Sequence, residues 1–210
     1  MRGLFITFEG IEGSGKSTQM VLLGQKLTQR GLPVLLSREP GGPPIAEAIR
    51  SLLLDPQRRE MLPETELLLY CASRAQHTGE WILPALKEGK TVLCDRYYDS
   101  TFAYQGAARA QNLEFIRLLT DFATFSTVPQ LTFLIDLPVA AGLARINHRQ
   151  LDRLEQEDIS FHERVRAQYL DLARIHSDRF VVLDGSLPIA DIHTSVITTV
   201  LSHLGESSEQ

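Results

Sequence analysis

Cysteine is scarce, positive charge is not in excess, and no apolar stretch is long. Only Cys71 and Cys94 occur, without CxxC spacing, which excludes a disulfide scaffold and a thiolate zinc site. Both lie in apolar surroundings and read as small core residues of a reduced, cytoplasmic protein. The six histidines (77, 148, 162, 176, 193, 203) are scattered and offer no metal-ligand spacing. Lys and Arg number 21 against 26 Asp and Glu, so no general basic field invites nucleic acid or an anionic membrane. No apolar run is long enough to span a bilayer, and the run after Arg2 meets Glu9 too soon for a signal peptide. Repeats, low-complexity tracts and long linkers are missing too. The 210 residues therefore read as one α/β domain over 1–205 with a polar tail at 206–210.

What is there is a phosphate-cradling octet. Gly10 to Ser17 reads GIEGSGKS, preceded by the β-prone run Leu4 to Phe8 and followed by helical spacing through Met20, Leu23 and Leu27. Gly10, Gly13 and Gly15 let the backbone turn tightly. The amides of Ile11, Glu12, Ser14 and their neighbours, with the helix beginning near Thr18, then form a nest for a polyphosphate. Lys16 reaches toward the β- and γ-phosphates, and the Ser17 hydroxyl suits Mg²⁺. A glycine-rich turn of this composition arises by chance in roughly one chain in a hundred, and its strand and helix flanks reduce that further. The chain binds a nucleoside triphosphate.

Further strands are expected at 33–37, 91–94, 130–135 and 180–183, alternating with helices at about 45–54, 63–75, after Asn112, over 139–178 and at 189–204. Near-continuously apolar strands separated by helices predict a five-stranded parallel sheet covered on both faces. Ligands in such sheets gather beyond the carboxyl ends of the strands. That rule brings Gly10–Ser17, Arg38–Gly42, Asp95–Arg96 and Asp136 to one rim.

Two strands end in aspartate, at Asp95 and Asp136. Asp95 is the stronger candidate for organising a metal because Arg96 follows it, although a surface ion pair has the same letters; Asp136 reads equally as a helix cap. Tyr70 and Arg74 share one helix face, where they serve either packing or base recognition. Arg145, Arg149 and Arg153 recur every fourth residue. They fit a solvated, salt-bridged face and a mobile lid over about 145–158 equally well.

With these residues together, the chain resembles the bacterial-type thymidylate kinases from about Phe5 to Gly185. The resemblance rests on FEGIEGSGKSTQ, REPGG, LLLYCASRAQH, CDRYYDSTFAYQG, FLIDLP with GLARI, and LDRLE. It implies a nucleoside-monophosphate kinase fold with a short lid, and transfer from MgATP to dTMP in a homodimer. By that resemblance Glu12 is the acid inside the phosphate loop, and the catalytic arginines come from the lid as Arg149 and Arg153. Arg38 and Arg96 hold the dTMP phosphate, while Glu39 and Asp95 organise Mg²⁺. Tyr70 stacks on thymine, Arg74 bonds its exocyclic oxygen, Gln105 reads the base edge, and Ser100 and Tyr104 line the pocket. Two departures stand out: Tyr70 occupies a place where phenylalanine is usual, and Pro43 replaces the Thr or Ser that usually follows REPGG. A kinase with another nucleotide or nucleoside acceptor is the nearest alternative. A GTPase switch is disfavoured, since no NKxD motif occurs.

Overall fold

A computed structural model of the chain describes residues 3–205. The tail expected at 206–210 lies outside the described residues. Five strands, β1 (Phe5–Glu9), β2 (Val34–Arg38), β3 (Thr91–Asp95), β4 (Leu131–Asp136) and β5 (Phe180–Asp184), form one parallel sheet in the order β2-β3-β1-β4-β5. Central β1 pairs Thr7 with Cys94 on one side and Thr132 on the other. The Thr7 and Thr132 hydroxyls bond each other at 2.8 Å, so two polar groups are satisfied inside the sheet.

Strand side chains alternate between faces, and each face has its own helices. Ile6, Phe8, Leu93, Phe133 and Ile135 pack on α1 (Lys16–Gln29) and α9 (Ile189–His203). On the opposite face Phe5, Val92 and Cys94 meet Tyr97 and α4 (Leu83–Lys87), while Leu134 meets Val165, Tyr169 and Leu172 of α8 (Ile159–Ile175). The expected α/β architecture is the observed one. Helix α3 (Pro63–His77) continues through a π-helical turn, Thr78–Ile82, into α4, and it packs on α6 (Leu113–Thr124). Asn112 caps α6 by accepting from Phe115 N–H. Helix α2 (Pro44–Leu54) follows β2.

Two segments differ from the sequence reading. The continuous helix expected over 139–178 is broken into α7 (Val139–Ile146) and α8, with irregular chain between. Within that gap Asp152 accepts from the Leu154 and Glu155 amides, and Asp158 accepts from Phe161 N–H at the start of α8. Aspartates satisfy the local backbone in place of helix bonds, and periodicity alone cannot register that competition. Conversely, the stretch after β3 is helical: α5 (Tyr98–Thr101) runs into a π-helical segment, Phe102–Ala108. π-Helical turns recur at functional sites because the extra residue re-aims side chains.

Candidate active site

The carboxyl ends of β1, β2 and β3 open on a cavity of about 280 Å³. Its walls combine the phosphate loop (Glu12, Gly13, Lys16, Ser17), Arg38, Glu39 and Arg50 beyond β2, Asp95 to Tyr97 beyond β3, Tyr70 and Arg74 of α3, Ser100, Tyr104 and Gln105 of the α5 region, and Arg149, Asp152, Leu154 and Glu155 of the irregular chain between α7 and α8. Gly10, Ile11, Ser14 and Gly15 shape the loop from behind without lining the cavity, and Thr18 is exposed on the first turn of α1.

Close approach dictates the loop's glycines. Gly13 has φ +72°, and a Cβ there would fall 2.2 Å from the Gly142 carbonyl oxygen of α7. Lys16 is folded back into the loop, donating to Ile11 O at 2.7 Å and Ser14 Oγ at 3.4 Å. Burial, then the positive charge of Arg96, push its amine down to about 8. Negative charge and acceptors from an entering polyphosphate would oppose both influences.

Ser17 Oγ donates to Asp95 Oδ2 across the β1–β3 junction. A hydroxyl and a carboxylate beside a polyphosphate loop are hard oxygen donors of the kind Mg²⁺ takes alongside phosphate oxygens. Among the described residues no cluster of three or more His, Cys, Asp or Glu could hold a metal without such help. Glu39, expected to share that task, does not fit it. It is buried, its Oε2 accepts from Arg74 Nε at 2.8 Å, and its Oε1 pairs with His77 Nδ1 at 3.0 Å. Ser17 and Asp95 are the hard oxygen donors that meet beside the phosphate loop.

Arg96 is the hub of the site. Its backbone is left-handed, with φ +70°, a strained setting for an arginine and one that recurs at functional positions. Its guanidinium donates to Glu12 Oε1 at 2.8 Å, Tyr169 OH at 2.9 Å and Ser100 Oγ at 3.4 Å. Glu12 also accepts from Tyr104 OH at 2.5 Å. Burial alone would raise the Glu12 carboxyl, but Arg96 foremost, with His162 and Lys16, holds it well below the usual range. Beneath Arg96, Glu9 accepts from Tyr97 N–H at 2.7 Å, Ser100 Oγ at 2.7 Å and Tyr169 OH at 2.8 Å. Burial, then the nearby Asp99, raise Glu9 to about 7.

At the far end Arg74 lies buried on α3, donating from Nη1 to Thr101 Oγ1 at 2.8 Å and from Nη2 to Tyr97 O at 3.2 Å besides its Glu39 bond. Tyr70, one turn earlier, lines the same cavity. Gln105 donates from Nε2 to Glu66 Oε1 at 2.8 Å. Arg38 lines the opposite wall and is half exposed, paired with Glu47 at 3.0 Å.

The every-fourth-residue arginines do not form one stripe. Arg145 donates to Gly13 O and Gly185 O, both at 3.1 Å, bracing the phosphate loop. Arg149 reaches the cavity and is held by Glu155 at 2.8 and 2.5 Å. Arg153 is buried outside the lining, bonded to Leu53 O at 2.9 Å and Glu66 at 2.7 Å. They separate because the helix ends at Ile146 and each guanidinium finds a different acceptor. Asp136, expected on the rim, does not line the cavity; Arg166 of α8 holds both its oxygens at 2.7 and 2.8 Å.

Sequence reasoning missed Glu9, Arg50, Glu66, Arg109 and Tyr169. Glu9 carried a usable signal, a carboxylate ending a buried strand. Nothing local marks Tyr169, which arrives from α8.

The thymidylate kinase family profile matches residues 8–196. A thymidylate kinase of Geotalea uraniireducens is 47% identical over 211 residues, covering 97% of this chain and 99% of that protein. One from Geobacter sulfurreducens is 49% identical over 96% of this chain and 98% of its own length. A crystal structure of thymidylate kinase from Ehrlichia chaffeensis, 34% identical, superposes with a TM-score of 0.79 over 95% of this chain and 99% of that one.

Proposed function

The chain belongs to the thymidylate kinase family, and from that membership we infer that it transfers the γ-phosphoryl group of MgATP to the 5′-phosphate of dTMP, giving dTDP and ADP. The observation that carries this reading is the continuity of the cavity: one end is the phosphate loop, the other is lined by Tyr70, Arg74 and Gln105, and Arg96 stands between. Two negatively charged nucleotides are thereby brought end to end.

The attacking group is a phosphate oxygen, already anionic, so no general base is needed. Repulsion between the two phosphates opposes the reaction, and positive charge aimed at the junction relieves it. Lys16 holds the β- and γ-phosphates, and Arg38 and Arg96 grip the dTMP phosphate. Glu12 and Tyr104 hold the Arg96 guanidinium in place. Ser17 and Asp95 would hold Mg²⁺, which would neutralise part of the phosphate charge. Arg149, and Arg153 once it leaves Glu66, cover the transferring group from the lid. Tyr70 stacks on the base, Arg74 donates to its exocyclic oxygen, and Ser100 and Tyr104 bound the sugar.

The protein acts as a homodimer through the α3–α6 face. Phe115, Leu118 and Phe122 form a stripe on α6, with Phe122 81% exposed, and Leu68 of α3 is 53% exposed. A second copy of the same face would cover them. Among the described residues no helix is long and apolar enough to cross a membrane. Cys71 and Cys94 are buried free thiols, which fits a reducing cytoplasm. ADP release measured across dTMP, dUMP, dCMP, dGMP and thymidine tests the activity. A preference for dTMP is expected; preference for an unphosphorylated nucleoside would overturn the acceptor assignment.

A further inference from the structure

We infer that Glu66 is a positioning residue for base selection: it holds the Gln105 amide so that the carbonyl oxygen faces the cavity, and the pocket accepts a pyrimidine bearing hydrogen on N3. The inference deepens the reading above, in which Gln105 meets the base edge.

An amide has a donor end and an acceptor end, and their order is set by whatever one end is tied to. Glu66 and Gln105 are each 1% exposed, with Gln105 Nε2 2.8 Å from Glu66 Oε1. Three cationic contacts converge on the same carboxyl: Arg153 Nη1 at 2.7 Å, Arg109 Nη2 at 3.2 Å and Arg109 Nε at 3.4 Å. A carboxylate so surrounded stays ionised and can only accept, so the NH₂ of Gln105 must face it. The Gln105 oxygen is thereby turned the other way, and it accepts from no group among the described residues. Gln105 lines the cavity with Tyr70 and Arg74.

The base wall therefore presents donors from Arg74 and an acceptor from Gln105. Thymine and uracil offer the complement, a carbonyl oxygen at C4 and a hydrogen on N3. Cytosine offers an amino group at C4 and a lone pair on N3, which mismatches both. A site built to receive a hydrogen bond discriminates strongly against a base lacking the donor.

Glu66 also anchors the lid through Arg153, and through Arg109, which reaches Glu157 at 2.6 Å. Loss of that anchor alters every acceptor alike, whereas loss of amide orientation alters the ratio between acceptors. The test is kcat/KM for dTMP, dUMP and dCMP in the wild type, in Glu66→Gln, and in the exchange variant Glu66→Gln/Gln105→Glu. In Glu66→Gln the side chain at 66 can donate or accept, Gln105 is free to flip, and the dTMP-to-dCMP ratio should fall about tenfold or more. The dTMP-to-dUMP ratio should hold, because both bases carry the N3 hydrogen. The exchange variant keeps the charge and presents only acceptors at 105, so it should restore the dTMP-to-dCMP ratio toward wild type. Proportional losses on all three acceptors in Glu66→Gln overturn the inference, as does an exchange variant without restoration. Should Glu66→Gln not fold, Glu66→Asp takes its place, keeping the charge but withdrawing it from the Gln105 amide: a fallen dTMP-to-dCMP ratio upholds the inference and an unchanged ratio overturns it. A wild type inactive on all three would instead overturn the functional reading.

Discussion

Gly142 sits inside α7, where general helix rules favour replacing it. Alanine in a helix interior is worth about 0.5–1 kcal/mol over glycine, so Gly142→Ala should stabilise if propensity ruled. The contact geometry reverses the sign. A Cβ at 142 would lie 2.4 Å from the Glu12 carbonyl oxygen and 2.9 Å from Ile11 Cδ1. The isoleucine can rotate, but the carbonyl belongs to the backbone of the phosphate loop and cannot. Ordinary contact requires α7 or the loop to retreat by about 1 Å, at a cost of about 1–3 kcal/mol for overpacking. Subtracting the helix gain leaves a net loss of up to about 2.5 kcal/mol, which in a chain this long lowers Tm by up to about 10 °C. Arg145, on the same helix, is bonded to Gly13 O, so the loop moves with α7. Misplacing the phosphate loop by about 1 Å should lower kcat by up to about 100-fold. Thermal melts with and without ATP, beside steady-state ADP release, read both quantities. A rise of a few degrees with unchanged kcat would refute the steric argument outright.

Removing the lid arginines separates two roles. Arg149→Ala and Arg153→Ala should each lower kcat far more than they raise the KM for dTMP, by roughly 10²-fold or more. Only Arg153→Ala should also lower Tm, because it leaves Glu66 short of a buried partner; identical melting of the two variants would contradict the docking seen here. Glu9 supplies a pH signature. Its folded pKa near 7 exceeds the ordinary carboxyl value of 4.5, so the native state keeps a proton the unfolded chain has lost. Stability from this group is full below pH 4.5, declines as pH rises toward 7 and is flat above, with a span of at most about 3 kcal/mol. Urea unfolding from pH 4 to 8 should show this slope in wild type and not in Glu9→Gln; parallel curves would remove the assignment. Asp95→Asn should raise the Mg²⁺ concentration for half-maximal rate about tenfold or more, and superimposable Mg²⁺ titrations would exclude Asp95 from the metal site. Phe122→Glu should convert the dimer to monomer in sedimentation velocity, and a wild type that already sediments as monomer would discard the α3–α6 interface.

Most of the sheet was legible because each strand is a short apolar run ended by a polar residue at the rim. Observed bounds differ from the expected ones by about a residue, since the terminal Glu9, Arg38, Asp95 and Asp136 still take ladder positions. The phosphate loop was legible for a different reason: its function lies in backbone geometry that only glycine permits, and glycine is visible as a letter. The irregular chain between α7 and α8 was not legible as structure. Spacing placed its arginines on one helical stripe, while the aspartates that interrupt the helix act through side-chain bonds to the local backbone.

What escapes a linear reading most completely is the support beneath Arg96. The Glu9 carboxylate is bonded to Ser100, 91 residues away, and to Tyr169, 160 residues away. The inward face of α8 could be anticipated from Phe161, Val165, Tyr169 and Leu172, yet apolar spacing makes Tyr169 one more core residue. Its hydroxyl is what differs: it accepts from Arg96 at 2.9 Å and donates to Glu9 at 2.8 Å. It thus joins the Glu9 carboxyl below to the Arg96 guanidinium above. A phenylalanine there would preserve the packing and leave the carboxylate and the guanidinium each short of a buried partner, at a cost of about 1–3 kcal/mol for each unmet group. The aromatic pattern of α8 therefore specifies the fold, while a single oxygen on it aligns the arginine with the phosphates. That separation explains why the core could be read from the letters and the hub could not.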